Sequence, residues 1–366
     1  MRTREMAPTN EVEWQVRDIR CRRGGPQRLP VEHAPLGRAL RYRRSAGQSP
    51  PPGCLPLVRA RGWLADLGQG GLAELLLGLA AVAALHEITP NLRLHYSGRR
   101  ARLMGRCALP VTATEAWGPH IVRTESRSPV RFRINAEEPP AWLDHVAPGV
   151  VEVHSALPMR HYLAMEQSLG ARLSRDHTPA PLFPSGVTTI PWHVVFVISQ
   201  ADPAYRDYRP ADFAAVASEL MRTRSAPWRF TVVLPRTYRS VPGFDELPVT
   251  LVHAPDPAEC VDLFAAAELV IGTDHGLTQL AGLTARADGS GPHVVGLYAR
   301  RPHTKWTTGS PRHHAVATRF AQMLSLADRS PARDELDERC WGGAADLCTV
   351  PRSLVADFAA RCAGWW

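Results

Sequence analysis

The chain has 366 residues, 45% of them apolar, and a formal net charge of +8; that is enough to bury a large core, and the length suggests two domains. No apolar run reaches the roughly 18 residues a membrane-spanning helix needs, and the Arg-rich N-terminus lacks an apolar signal core, so the expected location is the cytoplasm. Residues 1–61 hold 13 arginines against 5 acidic residues, a surplus equal to the whole net charge; nucleic acid is not an expected partner, because a basic tail is ordinarily a solvated arm.

Residues 1–54 have little periodicity and end in Ser-Pro-Pro-Pro-Gly, as expected of a disordered Arg/Pro-rich extension. A first α/β domain is expected over 55–175. It opens with a strand near 55–60, a loop over 62–71 containing Gly68, Gly70 and Gly71, and an apolar helix over 72–87. Strand-like runs follow at 92–96, 120–123, 130–134 and 150–153, with a helix at 159–169. Four prolines mark 176–192 as a linker.

A second α/β domain is expected over 193–314. Its strands are 193–198, 229–234, 249–252, 269–271 and 293–297, and its helices are 210–223, 257–267 and 277–283. This alternation argues for parallel sheets, and two units of similar size argue for a cleft between them. A mostly helical tail completes the chain over 315–366. The seven cysteines form no Cys-x-x-Cys pair, and although Cys340, Cys348 and Cys362 cluster, their spacing is that of no common zinc module; no metal site is expected.

Two segments carry candidate chemistry. In ELVIGTDHGLTQLAGL (268–283), a β-branched run enters Gly272-Thr273-Asp274-His275-Gly276 and then a helix. The glycines would admit a ligand to the main chain, and the first unpaired N–H groups of the helix that Leu277 starts would form an anion site. The alternative is that Asp274 simply caps the helix. In the second segment, Gly68, Gly70 and Ala73 fit G-x-G-x-x-A. A nicotinamide cofactor is not expected from that pattern. The Gly62–Asp66 stretch separates the glycines from the strand at 55–60, and no acidic residue stands about 20 positions on. Glu74 is the single charge on the first turn of an apolar helix. It suits either a general base with raised pKa or a favourable contact with its own helix dipole.

Together these features resemble the heptosyltransferase family of bacterial glycosyltransferases (glycosyltransferase family 9). IGTDHGLTQLAG is similar to that family's Asp-(Thr/Ser)-Gly-Leu-x-His-Leu-Ala motif, with His275 in place of Thr or Ser and Gln279 in place of His. LAELLLGLAAVAALHEITP is similar to its Gly-Asp-(Val/Ala)-Leu helix, which puts Glu74 where the family has a catalytic aspartate. LPMRHYLAMEQSLGA resembles its acceptor-domain helix. HVVGLYARRPHTKW resembles its last strand and nucleotide-contacting loop, placing His303, Lys305 and Trp306 near the donor.

The resemblance implies a GT-B fold of two Rossmann-like α/β domains facing a cleft. It implies inverting sugar transfer from ADP-heptose or a similar nucleotide sugar, with no cofactor and no metal. The donor side would comprise Asp274, His275, Gly276, Leu277, Thr278 and Lys305, with Arg206 or Arg209 replacing a missing lysine. Gly70, Gly71, Arg160 and His161 are acceptor-side candidates. The hydroxyl acceptor, whether glycan, natural product or protein, is not legible. The alternatives are a non-catalytic sugar-nucleotide or nucleic-acid binding protein on a degenerate GT-B fold, and then a dehydrogenase.

Overall fold

The computed structural model describes residues 63–66, 71–88, 92–97, 99–114, 131–133, 157–158, 183–199, 208–238, 241–327 and 340–365. The N-terminal extension and the expected elements at 55–60, 120–123, 150–153 and 159–169 lie outside these residues.

The first unit comprises β1 (Trp63–Asp66), α1 (Leu72–Ile88), β2 (Leu92–Ser97), α2 (Ala101–Met104), β3 (Val111–Thr114) and β4 (Arg131–Arg133). All its strands pair in parallel, in the order β3-β2-β1-β4. β1 corrects the sequence reading, which put a loop there. Four residues between glycines carry little periodicity, and pairing with β2 on one side and β4 on the other makes them a strand. The glycine-rich loop therefore does follow a strand directly, which removes one objection to a dinucleotide fingerprint. The other stands, since β2 ends in Tyr96-Ser97 without a carboxylate.

The first turns of α1 bury leucines on more than one side, as expected of a helix packed between layers. Leu75, Leu76, Leu77 and Leu79 are each no more than 1% exposed.

The second unit comprises β5 (Phe183–Ser185), β6 (His193–Val197), α3 (Pro210–Thr223), β7 (Arg229–Leu234), β8 (Val249–His253), α4 (Pro257–Ala266), β9 (Leu269–Thr273), α5 (Gly276–Gly282), β10 (Thr284–Arg286), β11 (His293–Tyr298), β12 (His313–Ala317), α6 (Arg319–Ala327) and α7 (Arg352–Cys362). Six strands form a parallel sheet in the order β12-β11-β9-β6-β7-β8. β6 and β9 are central and buried at every position, which explains their unbroken apolar runs. Helix starts follow local rules. Pro257 stands first in α4 behind Asp256, whose side chain accepts the Ala258 N–H at 2.8 Å.

Three short strands of the second unit were not expected. β5 lies within the predicted linker and pairs with β10, and β12 extends the main sheet across the boundary drawn at residue 314. The two units share one core. Leu75, Leu76 and Leu79 of α1 belong to the same apolar cluster as Val195, Val270, Leu280 and Ala281. Around it, Arg102 pairs with Asp256 at 2.9 Å and Arg106 with Asp262 at 2.6 Å. Arg106 and Ser185 both donate to the Asp262 carboxylate, and the Arg106 bond above all lowers its pKa. The units also touch through α1 against α5 and through α2 against α4.

Candidate functional site

The main sheet reverses direction at β6 and β9. From β6 the chain proceeds through α3 to β7 on one flank, and from β9 through α5 to β11 on the other. In a doubly wound sheet, ligands sit at the carboxyl ends of the strands at such a point. The two strand ends are tied there, for Thr273 Oγ1 donates to Ser199 Oγ at 2.8 Å. The Asp274 N–H donates to the Leu297 carbonyl at 3.0 Å, bringing the end of β11 alongside.

Several residues of the predicted phosphate loop have different duties from those expected. The N-cap of α5 is His275, not Asp274: its Nδ1 accepts the Leu277 N–H at 3.2 Å. His275 is exposed, but surrounding protein partly desolvates its ring and lowers its pKa, in keeping with Nδ1 as an acceptor. Thr278 is fully buried and its hydroxyl donates to the Thr273 carbonyl at 2.7 Å, bracing the turn from inside. Leu277 packs at the margin of the shared core.

The two glycines were expected to open the main chain to a ligand, yet protein fills the space beside them. A Cβ on Gly272 would lie 2.4 Å from Thr278 Oγ1 and 2.9 Å from Val197 Cβ. On Gly276 it would lie 2.7 Å from Leu72 Cβ. Gly276 is therefore the point at which the start of α1 meets the start of α5.

Asp274 pairs with Arg301, Nε to Oδ2, at 3.6 Å. The Arg301 guanidinium lies 4.7 Å above the Trp306 ring. Lys305 is only 4% exposed, and its carbonyl accepts the Leu157 N–H at 2.9 Å. His303 Nδ1 lies 2.9 Å from Ser325 Oγ. Arg209 is the N-cap residue of α3; its side chain lies 3.7 Å from Asp212, whose carboxylate also accepts the Arg209 N–H. Arg206, Gly70, Arg160 and His161 lie outside the described residues. Gly71 opens α1, accepting the Leu75 N–H at 3.2 Å, and Glu74 occupies the first turn of that helix. Among the described residues no group of three or more His, Cys, Asp or Glu could hold a metal ion.

Beneath Trp306 lies a buried polar network that sequence reasoning missed. Gln279 Nε2 and the Tyr298 hydroxyl both donate to the Trp306 carbonyl. Tyr298 also meets His313 Nε2 at 3.4 Å, and His313 Nδ1 lies 3.0 Å from Thr308 Oγ1. Gln279, at the position of the family histidine, thus helps to position a loop backbone.

Burial, and secondarily the His314 charge, pushes the His313 pKa down from 6.5 to about 3. Between those values the unfolded chain holds a proton that the folded chain does not. Stability is therefore expected to fall as pH drops below 6.5, by up to about 1.4 kcal/mol per pH unit from this residue. His313→Gln should flatten the dependence of the urea midpoint between pH 7 and 5. Equal slopes in variant and wild type would contradict the assignment.

The architecture defines a class first: two parallel α/β units sharing a core, each with its strand order reversing beside its first strand. The chain is similar in fold to glycosyltransferase family 9 structures. A glycosyl transferase family 9 protein from Veillonella parvula DSM 2008 matches with a TM-score of 0.53 at 12% identity, over 82% of this chain and 96% of that one. E. coli heptosyltransferase WaaC with ADP matches with a TM-score of 0.53 at 11% identity, over 82% and 99%. The iron-containing dodecameric glycosyltransferase TibC from enterotoxigenic E. coli H10407 matches with a TM-score of 0.52 at 14% identity, over 83% and 78%. The chain has the fold of these transferases. No family model and no curated protein sequence matches it.

Proposed function

We propose that this protein is a glycosyltransferase that moves a sugar, a heptose or similar, from an ADP-linked donor to an acceptor hydroxyl with inversion. In this reading Glu74 takes the hydroxyl proton as the oxygen attacks the anomeric carbon. The bond to the diphosphate breaks, and its electron pair leaves on ADP. Protein cations stabilise the charge on that leaving group, so no metal role is assigned.

The observation that carries the proposal is the meeting of the two helix starts. Leu72, first residue of α1, packs on Gly276, first residue of α5. The turn bearing Glu74 is thereby brought to the loop bearing Asp274, at the switch point of the sheet. The shared fold and the ADP in the WaaC structure add support for a nucleotide-linked donor.

One rival reading has its own observations. His275 occupies an amide of α5, and protein atoms crowd Gly272 and Gly276, as expected if a transferase fold were kept without catalysis. Calorimetry against ADP-heptose and against RNA, at low and high salt, combined with an ADP-release assay, separates the readings. The proposal expects sugar-nucleotide binding with slow ADP release that an acceptor accelerates. RNA binding that weakens steeply with salt, without sugar-nucleotide binding, would overturn it.

A further inference from the structure

We propose that Arg301 is the cation that meets the donor diphosphate, with Asp274 and Trp306 as the residues that position it. The inference rests on the donor reading above and names a residue that the sequence motifs did not.

Arg301 follows the end of β11, the strand beside β9, so its loop borders the crevice at the switch point. The Asp274 carboxylate is 11% exposed whereas the Arg301 side chain is 51% exposed, so the guanidinium lies on the solvent side of the pair. At 3.6 Å their contact is an ion pair and not a hydrogen bond, so Asp274 orients Arg301 by charge without consuming its N–H donors. Trp306 supplies a flat support 4.7 Å away. That support is itself fixed, because its carbonyl is held by Tyr298 and Gln279 and its N–H donates to the Pro302 carbonyl at 3.1 Å.

The other described candidates are less suited. Arg209 faces Asp212, Arg300 bonds Asp346 at 3.0 Å, and Lys305 is buried. A planar, permanently charged guanidinium resting on a ring and aimed at water is the group best matched to diphosphate oxygens. Its pairing with Asp274 also reduces that carboxylate's repulsion of the ligand.

The test is titration calorimetry of the full chain with ADP, inorganic pyrophosphate and adenosine, for wild type, Arg301→Ala and Arg301→Lys. Arg222→Ala, on the exposed face of α3, serves as the surface control. The expected result is ADP and pyrophosphate affinity lowered about 10- to 100-fold in Arg301→Ala, with partial recovery in Arg301→Lys. Adenosine affinity should stay unchanged, which a merely structural role would not produce. Equal ADP affinity in wild type and Arg301→Ala would overturn the inference and leave the donor reading standing. Parallel loss of adenosine would also overturn it, by showing general damage to the site. A wild type that binds neither ADP nor pyrophosphate would remove the donor reading itself and this inference with it.

Discussion

Glu74→Gln is expected to lower kcat for sugar transfer by about 100- to 10,000-fold, the range for loss of a general base. Glutamine preserves the size and hydrogen-bonding edge of the side chain but cannot accept the acceptor's proton. The loss should therefore fall on kcat, with little change in the KM of the donor. Stability should change by no more than about 1 kcal/mol, the usual worth of a carboxylate at a helix start. Glu74→Asp, which installs the residue that the resembling family uses, should retain part of the activity. A Glu74→Gln enzyme with wild-type kcat would remove the general-base role while leaving the fold and the donor site intact.

Arg352→Ala is expected to destabilise the protein by about 2 kcal/mol, more than Asp212→Asn at about 1 kcal/mol. The asymmetry comes from exposure. The Asp212 side chain is 5% exposed, while that of Arg352 is 37% exposed. Removing the arginine leaves the buried Asp212 carboxylate with only the Arg209 N–H and its more distant guanidinium, whereas neutralising the aspartate leaves a cation that already reaches water. Because Asp212 lies in the first turn of α3 and Arg352 opens α7, their pair fixes the C-terminal helix to the second unit. Urea unfolding measures both variants. Equal losses, or a larger loss in Asp212→Asn, would contradict this account.

Elements set by their own composition were legible in the sequence. The runs that became β6, β7, β9 and β11 are buried and β-branched, and α1, α3 and α4 show apolar faces or capping residues at their starts. β1, β3, β5, β10 and β12 were not legible. Sequences such as WLAD, FPS, TAR and HHAVA become strands because a neighbour at distant positions pairs with them.

The site divides in the same way. The strand–turn–helix at 269–282 could be read locally, but what fills the space beside its glycines could not. Leu72 and Val197 come from remote segments. The helix cap went to His275, where the sequence pointed to Asp274, because the His275 Nδ1 reaches the Leu277 N–H. Arg301 was invisible for the same reason: its value comes from Trp306 beneath it and Asp274 on another loop.

If the β9–α5 loop and its neighbours hold a nucleotide-linked sugar, a crystal structure of the protein grown with ADP-heptose will contain it. Diphosphate density is expected between the Asp274–Thr278 loop and Arg301, with the sugar directed toward the start of α1. A nucleotide bound elsewhere on the molecule, or absent at saturating concentration, would contradict the donor reading.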